Sequence, residues 1–202
     1  MIRLGRAWAT TLALASLATG TAAALPAHAR PAHAALAGTS AACPVGWGSY
    51  TKTHSPDTTK PLTNVRIARH KCFDRMVIDV PGVDRGSLGY LVRYVDRLYQ
   101  EGSGRPIPVS GGAILKIVTH APAYDINTGE PTYSANPDDS LPGVNPDNYR
   151  TFRDAKFGGT FEGQTQFGLG VRARLPFRVQ TLDGHLVVDV AHNWTGDSLS
   201  TR

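Results

Sequence analysis

A strand-like pattern that occurs twice constrains this chain more than any other feature. Arg75-Met76-Val77-Ile78-Asp79-Val80 and His185-Leu186-Val187-Val188-Asp189-Val190 share the order polar, apolar, Val, apolar, Asp, Val. Side chains alternate between faces in an extended chain, so Met76, Ile78 and Val80 point one way and Arg75, Val77 and Asp79 the other. The second copy divides in the same way, with Leu186, Val188 and Val190 opposite His185, Val187 and Asp189. Two half-buried strands of one design predict an all-β domain built from related halves. An Arg or His four residues before each Asp shares its face and is a candidate ion-pair partner.

The N-terminal segment changes what the composition means. Arg3 and Arg6 precede an uncharged, Ala/Leu-rich run from Ala7 to Leu25, followed by A-x-A sites at Ala27-His28-Ala29 and Ala32-His33-Ala34 and a further small-residue site at Ala22 to Ala24. These are the parts of an export signal, read as residues 1–29 with cleavage as late as 34. The apolar run is short and weakly hydrophobic for a membrane anchor, so no membrane span is expected after signal removal. Removing Arg3, Arg6 and Arg30 from the 21 Lys and Arg leaves 18 against 16 Asp and Glu, a formal charge of +2. With no basic run and no base-stacking signature, nucleic acid is not an expected partner.

The two cysteines, Cys43 and Cys72, both fall in the exported part, where an oxidising compartment makes a disulfide the natural reading. Ser40-Ala41-Ala42-Cys43 has the small residues of a lipidation site. It lacks the Leu-like residue expected at Ser40 and lies far beyond the apolar run, which argues against a lipid anchor.

Residues 30–44 read as a flexible segment, 45–194 as one folded domain and 195–202 as a disordered tail. Within the domain, residues 52–61 read as an exposed loop, and strands are expected from Val65 to Ile67, Phe73 to Val80 and Ala113 to His120. Tyr90 to Tyr99 fits both a helical stripe and a two-sided strand, and strand is preferred. Glu101-Gly102-Ser103-Gly104 reads as a hairpin loop. From Ala121 to Tyr149 the chain is rich in Pro, Asn and Asp, which predicts one long loop. The strand signal returns in Phe161 to Arg174 and Phe177 to Leu182, and Asp183-Gly184 is the strongest hairpin signal. The fold class is thus an all-β, single-domain β-sandwich, mainly antiparallel, with one long Pro/Asn/Asp-rich loop.

No catalytic motif is present: there is no G-x-S-x-G elbow, no H-E-x-x-H helix and no phosphate loop. His54, His70, His120, His185 and His192 lack metal-ligand spacing, and no cofactor is expected. Asp125-Ile126-Asn127-Thr128-Gly129-Glu130 opens like a calcium loop, but its twelfth position is Asn136 rather than an acid, and Asx turns explain the same residues. The carboxylate pairs Asp154/Glu162 and Asp79/Asp189 suggest a glycosidase only if they face one another across a cleft. Arg75, Asp79, Arg93, Tyr94, Glu162 and Asp189 are the polar positions assigned to ligand binding or structure. The glycines of Phe161-Glu162-Gly163-Gln164-Thr165-Gln166-Phe167-Gly168-Leu169-Gly170 would let another chain approach closely, and Trp47, Tyr50, Tyr90, Tyr94 and Tyr99 could stack on sugars or pack a sheet end.

Cys72-Phe73-Asp74-Arg75-Met76-Val77-Ile78-Asp79, Tyr90-Leu91-Val92-Arg93-Tyr94 and the Phe161–Gly170 segment together resemble the AMIN-like domain of exported actinobacterial proteins. That group is distantly similar to the AMIN domain accompanying N-acetylmuramoyl-L-alanine amidases. The resemblance spans about Asn64 to His192 and implies a non-enzymatic β-sandwich that binds or localises to the cell envelope, with peptidoglycan or another wall glycan, or an envelope protein, as partner. Two other functions stay open on the residues alone: a secreted glycan or peptide hydrolase using dispersed carboxylates, and a protein-interaction module using the 121–149 loop.

Overall fold

The computed structural model describes Cys43 and residues 46–194, all within one unit, Ser40–Arg202. The expected export signal, the expected flexible segment 30–44 apart from Cys43, and the expected tail 195–202 lie outside the described residues. The elements are β1 (Lys52–His54), β2 (Asn64–Arg69), β3 (Phe73–Asp79), β4 (Tyr90–Val95), β5 (Leu98–Tyr99), β6 (Pro106–Ile107), β7 (Ala113–Thr119), β8 (Phe152–Phe161), β9 (Gln164–Val171), β10 (Phe177–Leu182) and β11 (His185–Ala191). All strand pairings are antiparallel. They build a five-stranded sheet in the order β1-β4-β7-β9-β8, a four-stranded sheet in the order β10-β11-β3-β2 and a small β5-β6 ribbon.

The two large sheets share one apolar core, which makes the fold an all-β sandwich. Met76, Ile78, Leu186, Val188 and Val190 meet Val92, Leu115, Ile117, Phe167, Leu169 and Val171, all of them buried in a single cluster. The two copies of the repeated pattern are β3 and β11, and they are direct neighbours in one sheet. Their register centres on Val77 opposite Val187, which sets Arg75 across from Asp189 and Asp79 across from His185. Each Asp therefore meets the polar residue of the other copy, not the one on its own strand. Four residues along a strand span about 13 Å, too far for the in-strand pair expected from sequence.

Three other expectations change. Lys52–His54 is an edge strand rather than loop, pairing with Tyr90–Val92. The Tyr90–Tyr99 run is two strands, β4 and β5, broken by a bend at Asp96 and Arg97. The strand before the Glu162-Gly163 turn begins at Phe152. It is hard to read because register shifts at Phe152/Asp154 and Phe157/Gly159 disrupt its alternation.

Residues 120–151 contain no strand but contribute to the core. Tyr133 and Leu141 are buried in the central cluster, and Tyr133 packs its ring against Phe157 and Phe167. The backbone is held by Leu141 N donating to Ala155 O (3.0 Å), Asp138 N to Phe157 O (2.9 Å) and Leu62 N to Pro122 O (2.9 Å).

Candidate functional site

The outward face of the four-stranded sheet carries a network of charged side chains and aromatic rings. Its rows follow from the register: Arg178, Asp189 and Arg75 lie side by side, as do Gln180, Val187, Val77 and Arg66. Asp189 is fully buried, and both flanking arginines bind it. Arg75 Nε donates to Oδ1 (2.6 Å), Arg75 Nη2 to Oδ2 (2.9 Å) and Arg178 Nε to Oδ2 (2.8 Å). The hydrogen bond to Asp189 raises the Arg75 pKa above its ordinary value. Asp79 is the more open counterpart. Arg66 Nε and Nη2 donate to it at 3.2 and 3.1 Å, Asn64 Nδ2 donates at 3.1 Å, and His185 Nδ1 lies 2.8 Å away without an aligned hydrogen bond.

Aromatic rings brace this network. Arg178 stacks over Trp47 with Cζ 4.5 Å from the ring centre and lies 5.3 Å from Phe73, while Arg75 lies 5.2 Å from Phe73. His70 stacks on Phe73 at 4.5 Å, and Trp47 meets its edge at 5.6 Å. The ring faces are thus partly occupied by the protein's own cations. The Cys43–Cys72 disulfide, with Cα atoms 5.3 Å apart, ties the Trp47 segment to the start of β3. Beside the cluster lies a shallow cavity of about 320 Å³ lined by Arg66, Ile67, Ala68, His70, Arg75, Val77, Leu182, His185 and Val187. Aliphatic side chains share this lining with two arginines and two histidines.

Two motifs that carry the family resemblance have structural explanations. In Phe73-Asp74-Arg75, Phe73 and Arg75 face outward, and Asp74 turns into the interior. Asp74 accepts from Thr151 N (2.6 Å) and pairs with the buried His192 at 3.0 Å, joining β3 to the chain before β8 and after β11. In the Phe161–Gly170 segment, Glu162 and Gly163 form the β8–β9 turn with φ 49° and 77°, the positive pair of a type I′ hairpin. Thr165 Oγ1 donates to Ala121 O at 2.7 Å, and Phe167 enters the core. Gly168 and Gly170 do admit another chain, but it is the protein's own. A Cβ on Gly168 would meet Leu98 Cδ2 at 2.4 Å, and one on Gly170 would meet Ser110 O at 1.9 Å.

The remaining sequence candidates separate. Arg93 lies on the outward face of the five-stranded sheet, away from Asp79 and Asp189. Tyr94 turns inward, and its hydroxyl donates to Leu175 O (2.8 Å) and accepts from Leu175 N (3.0 Å). Burial pushes its pKa up to about 12, partly offset by the Leu175 bond and nearby Arg174. Glu162 is at a hairpin tip. Asp154 is engaged by Ser110 N and Ala155 N at 2.9 and 2.8 Å. Asp79 and Asp189 sit four register positions apart, roughly 14 Å in Cα position, beyond the separation a paired-carboxylate glycosidase uses. Asp125 Oδ1 accepts from Asn127 N at 2.8 Å, the Asx turn anticipated above, and this bond lowers its pKa. Among the described residues, no three His, Cys, Asp or Glu side chains gather where they could hold a metal ion.

Sequence reasoning missed Arg66, His70 and Arg178 as site residues and offered Trp47 only as one of five rings that could stack on sugars or pack a sheet end. Each lies on a different strand or segment, and only the β10-β11-β3-β2 order brings them together.

Among the described residues, no helix is long and apolar enough to cross a membrane. No curated protein and no solved structure matches the chain. The sequence profile of the AMIN-like domain matches residues 60–192, from just before β2 to just after β11. That match takes in every strand but β1, together with the Phe73-Asp74-Arg75 and Phe161–Gly170 segments whose structural work is described above, and the chain belongs to the AMIN-like domain family.

Proposed function

We propose that this chain is an exported, non-catalytic envelope module that binds wall polymer, with peptidoglycan the preferred ligand, through the outward face of its four-stranded sheet. The observation that carries this reading is the cavity where Val77, Val187, Leu182 and Ala68 adjoin Arg66, Arg75, His70 and His185. An aliphatic surface edged by cations suits a polymer that alternates small apolar groups with carboxylates, as a wall glycan bearing acidic peptides does. Membership of the AMIN-like family supports an envelope role, and the disulfide and the signal-like N-terminus support an oxidising, extracytoplasmic setting.

Co-sedimentation of the secreted mature chain with purified cell-wall sacculi tests the reading. Arg66→Gln combined with His70→Ala should lower retention several-fold while leaving the melting temperature nearly unchanged, because both side chains belong to exposed residues. Retention no greater than that of a size-matched secreted control protein would refute the proposal.

A further inference from the structure

The outward face of the other sheet holds a second concentration of positive charge. Arg93 on β4 is set directly across from Lys116 on β7, a like-charge cross-strand pair that costs stability unless something neutralises it. One carboxylate does so in part, since Lys116 Nζ bonds Glu101 Oε1. Arg97, in the bend after β4, lines the same groove of about 330 Å³, together with Val95, Tyr99, Gln100, Gly102 and Gly104. Among the described residues, neither Arg93 nor Arg97 makes a side-chain hydrogen bond, ion pair or ring contact. Most other arginines are engaged: Arg66, Arg75 and Arg178 on carboxylates, Arg105 on Gln100, Arg153 and Arg172 on carbonyls, and Arg69 and Arg174 on rings. Arg85 and Arg150 are also unengaged, but they stand on separate turns. Arg93 and Arg97 converge on one groove.

The groove is built by the fold rather than left between side chains. The β5–β6 ribbon lies on the sheet because Gly168 leaves room for Leu98 and Val109, which raises a wall beside Arg93 and Lys116. Gly102 and Gly104 take φ values of 81° and 68° at the ribbon's tip, and Phe161 packs against Gly102. Two guanidiniums, each a planar fork of donors, beside a partly neutralised ammonium and the half-exposed Tyr99 ring match an oxyanion carried on a larger molecule.

We infer that the groove between the β5–β6 ribbon and strands β4 and β7 is a second binding site, one that takes oxyanion groups of a polymer, carboxylate or phosphate, through Arg93 and Arg97. This site is independent of the face assigned above to wall polymer.

The test uses the secreted chain and two soluble probes, poly-L-glutamate for carboxylate and inorganic polyphosphate for phosphate, titrated calorimetrically at low salt. The R93Q/R97Q double variant should bind the preferred probe about tenfold more weakly or worse, the loss expected from removing charge-assisted hydrogen bonds. The probe that shows this loss identifies the oxyanion. R85Q/R150Q removes the same charge elsewhere and should bind within twofold of the parent. Binding of both probes by R93Q/R97Q within twofold of the parent, or equal losses in the two double variants, would overturn the inference. Adding R93Q/R97Q to the Arg66→Gln/His70→Ala variant should cost the same tenfold in probe affinity as it does in the parent, while the sacculus retention of Arg66→Gln/His70→Ala falls with Arg93 and Arg97 intact, so the two proposals fail separately.

Discussion

Asp79 and Asp189 occupy equivalent places in the two copies of one pattern, yet their environments differ enough to predict different costs of removal. Asp189 is fully buried between Arg75 and Arg178, whose side chains are 25% and 34% exposed. Asp189→Ala strands two guanidiniums that water can partly rehydrate. The expected loss is about 2–3 kcal/mol, somewhat below the 3–5 kcal/mol typical when a partner of a wholly buried pair is removed. Asp79 faces Arg66, which is 52% exposed, so Asp79→Ala should cost about 1 kcal/mol or less. Urea denaturation reads both as midpoint shifts at constant slope, and equal shifts would contradict this account. The alternation that buries Met76, Ile78, Leu186 and Val188 is legible in sequence, because strand period and apolar residues coincide. The ion pairs were within reach too. Two copies of one pattern run antiparallel about their central valines must set each leading Arg or His opposite the other's Asp, but that step requires knowing that the copies are neighbours.

At the level of elements, glycine spacing reports where strands are crowded. Gly168 and Gly170 occupy adjacent outward positions on β9, and both would clash if given a side chain, but the obstacles differ. Leu98 Cδ2, which blocks Gly168, is the end of a flexible side chain. Ser110 O, which blocks Gly170, is backbone held in place by the bond from Ser110 N to Asp154. Gly170→Ala should therefore destabilise by about 2 kcal/mol or more, and Gly168→Ala by about half as much. A thermal-melt ranking in the reverse order would show that the ribbon, not the strand, gives way. The 120–151 segment supplies a second test through Tyr133, whose buried hydroxyl has no hydrogen-bond partner. Tyr133→Phe removes an unsatisfied group without creating a cavity, so stability at neutral pH should be unchanged or higher. Burial also pushes the Tyr133 pKa up to about 12. The folded state then holds a proton that the unfolded chain releases near pH 10, so stability falls as pH rises from 10 toward 12. The Phe variant should lose less over that range. Composition alone marked this segment as loop, and it could not reveal that Tyr133 and Leu141 fill the core, since a single apolar residue among prolines carries no period.

For the molecule as a whole, the Cys43–Cys72 disulfide decides how much of the stability comes from restricting the unfolded chain. Its loop spans 29 residues of separation and encloses β1 and β2. Closing a loop of that size contributes roughly 3.6 kcal/mol in the chain-entropy model. The loop is also held by native contacts, among them the β1–β4 pairing and the 2.9 Å bond from Phe177 N to Gly48 O. Those contacts do not diminish the term, because they exist only in the folded state and the term acts on the unfolded one. Cys43→Ser combined with Cys72→Ser should therefore lower the melting temperature by about 7–14 °C for a domain of this size. A shift below about 2 °C would mean that the reduced unfolded chain is already compact around this loop. The bond also braces the site, because Trp47 lies four residues beyond Cys43 and stacks under Arg178. Sacculus retention by the double-Ser variant, measured well below its own melting temperature, should fall even though the β-sandwich persists. Unchanged retention would place wall binding away from Trp47, at the cavity beside Arg66 and His185, and narrow the site to that end of the sheet.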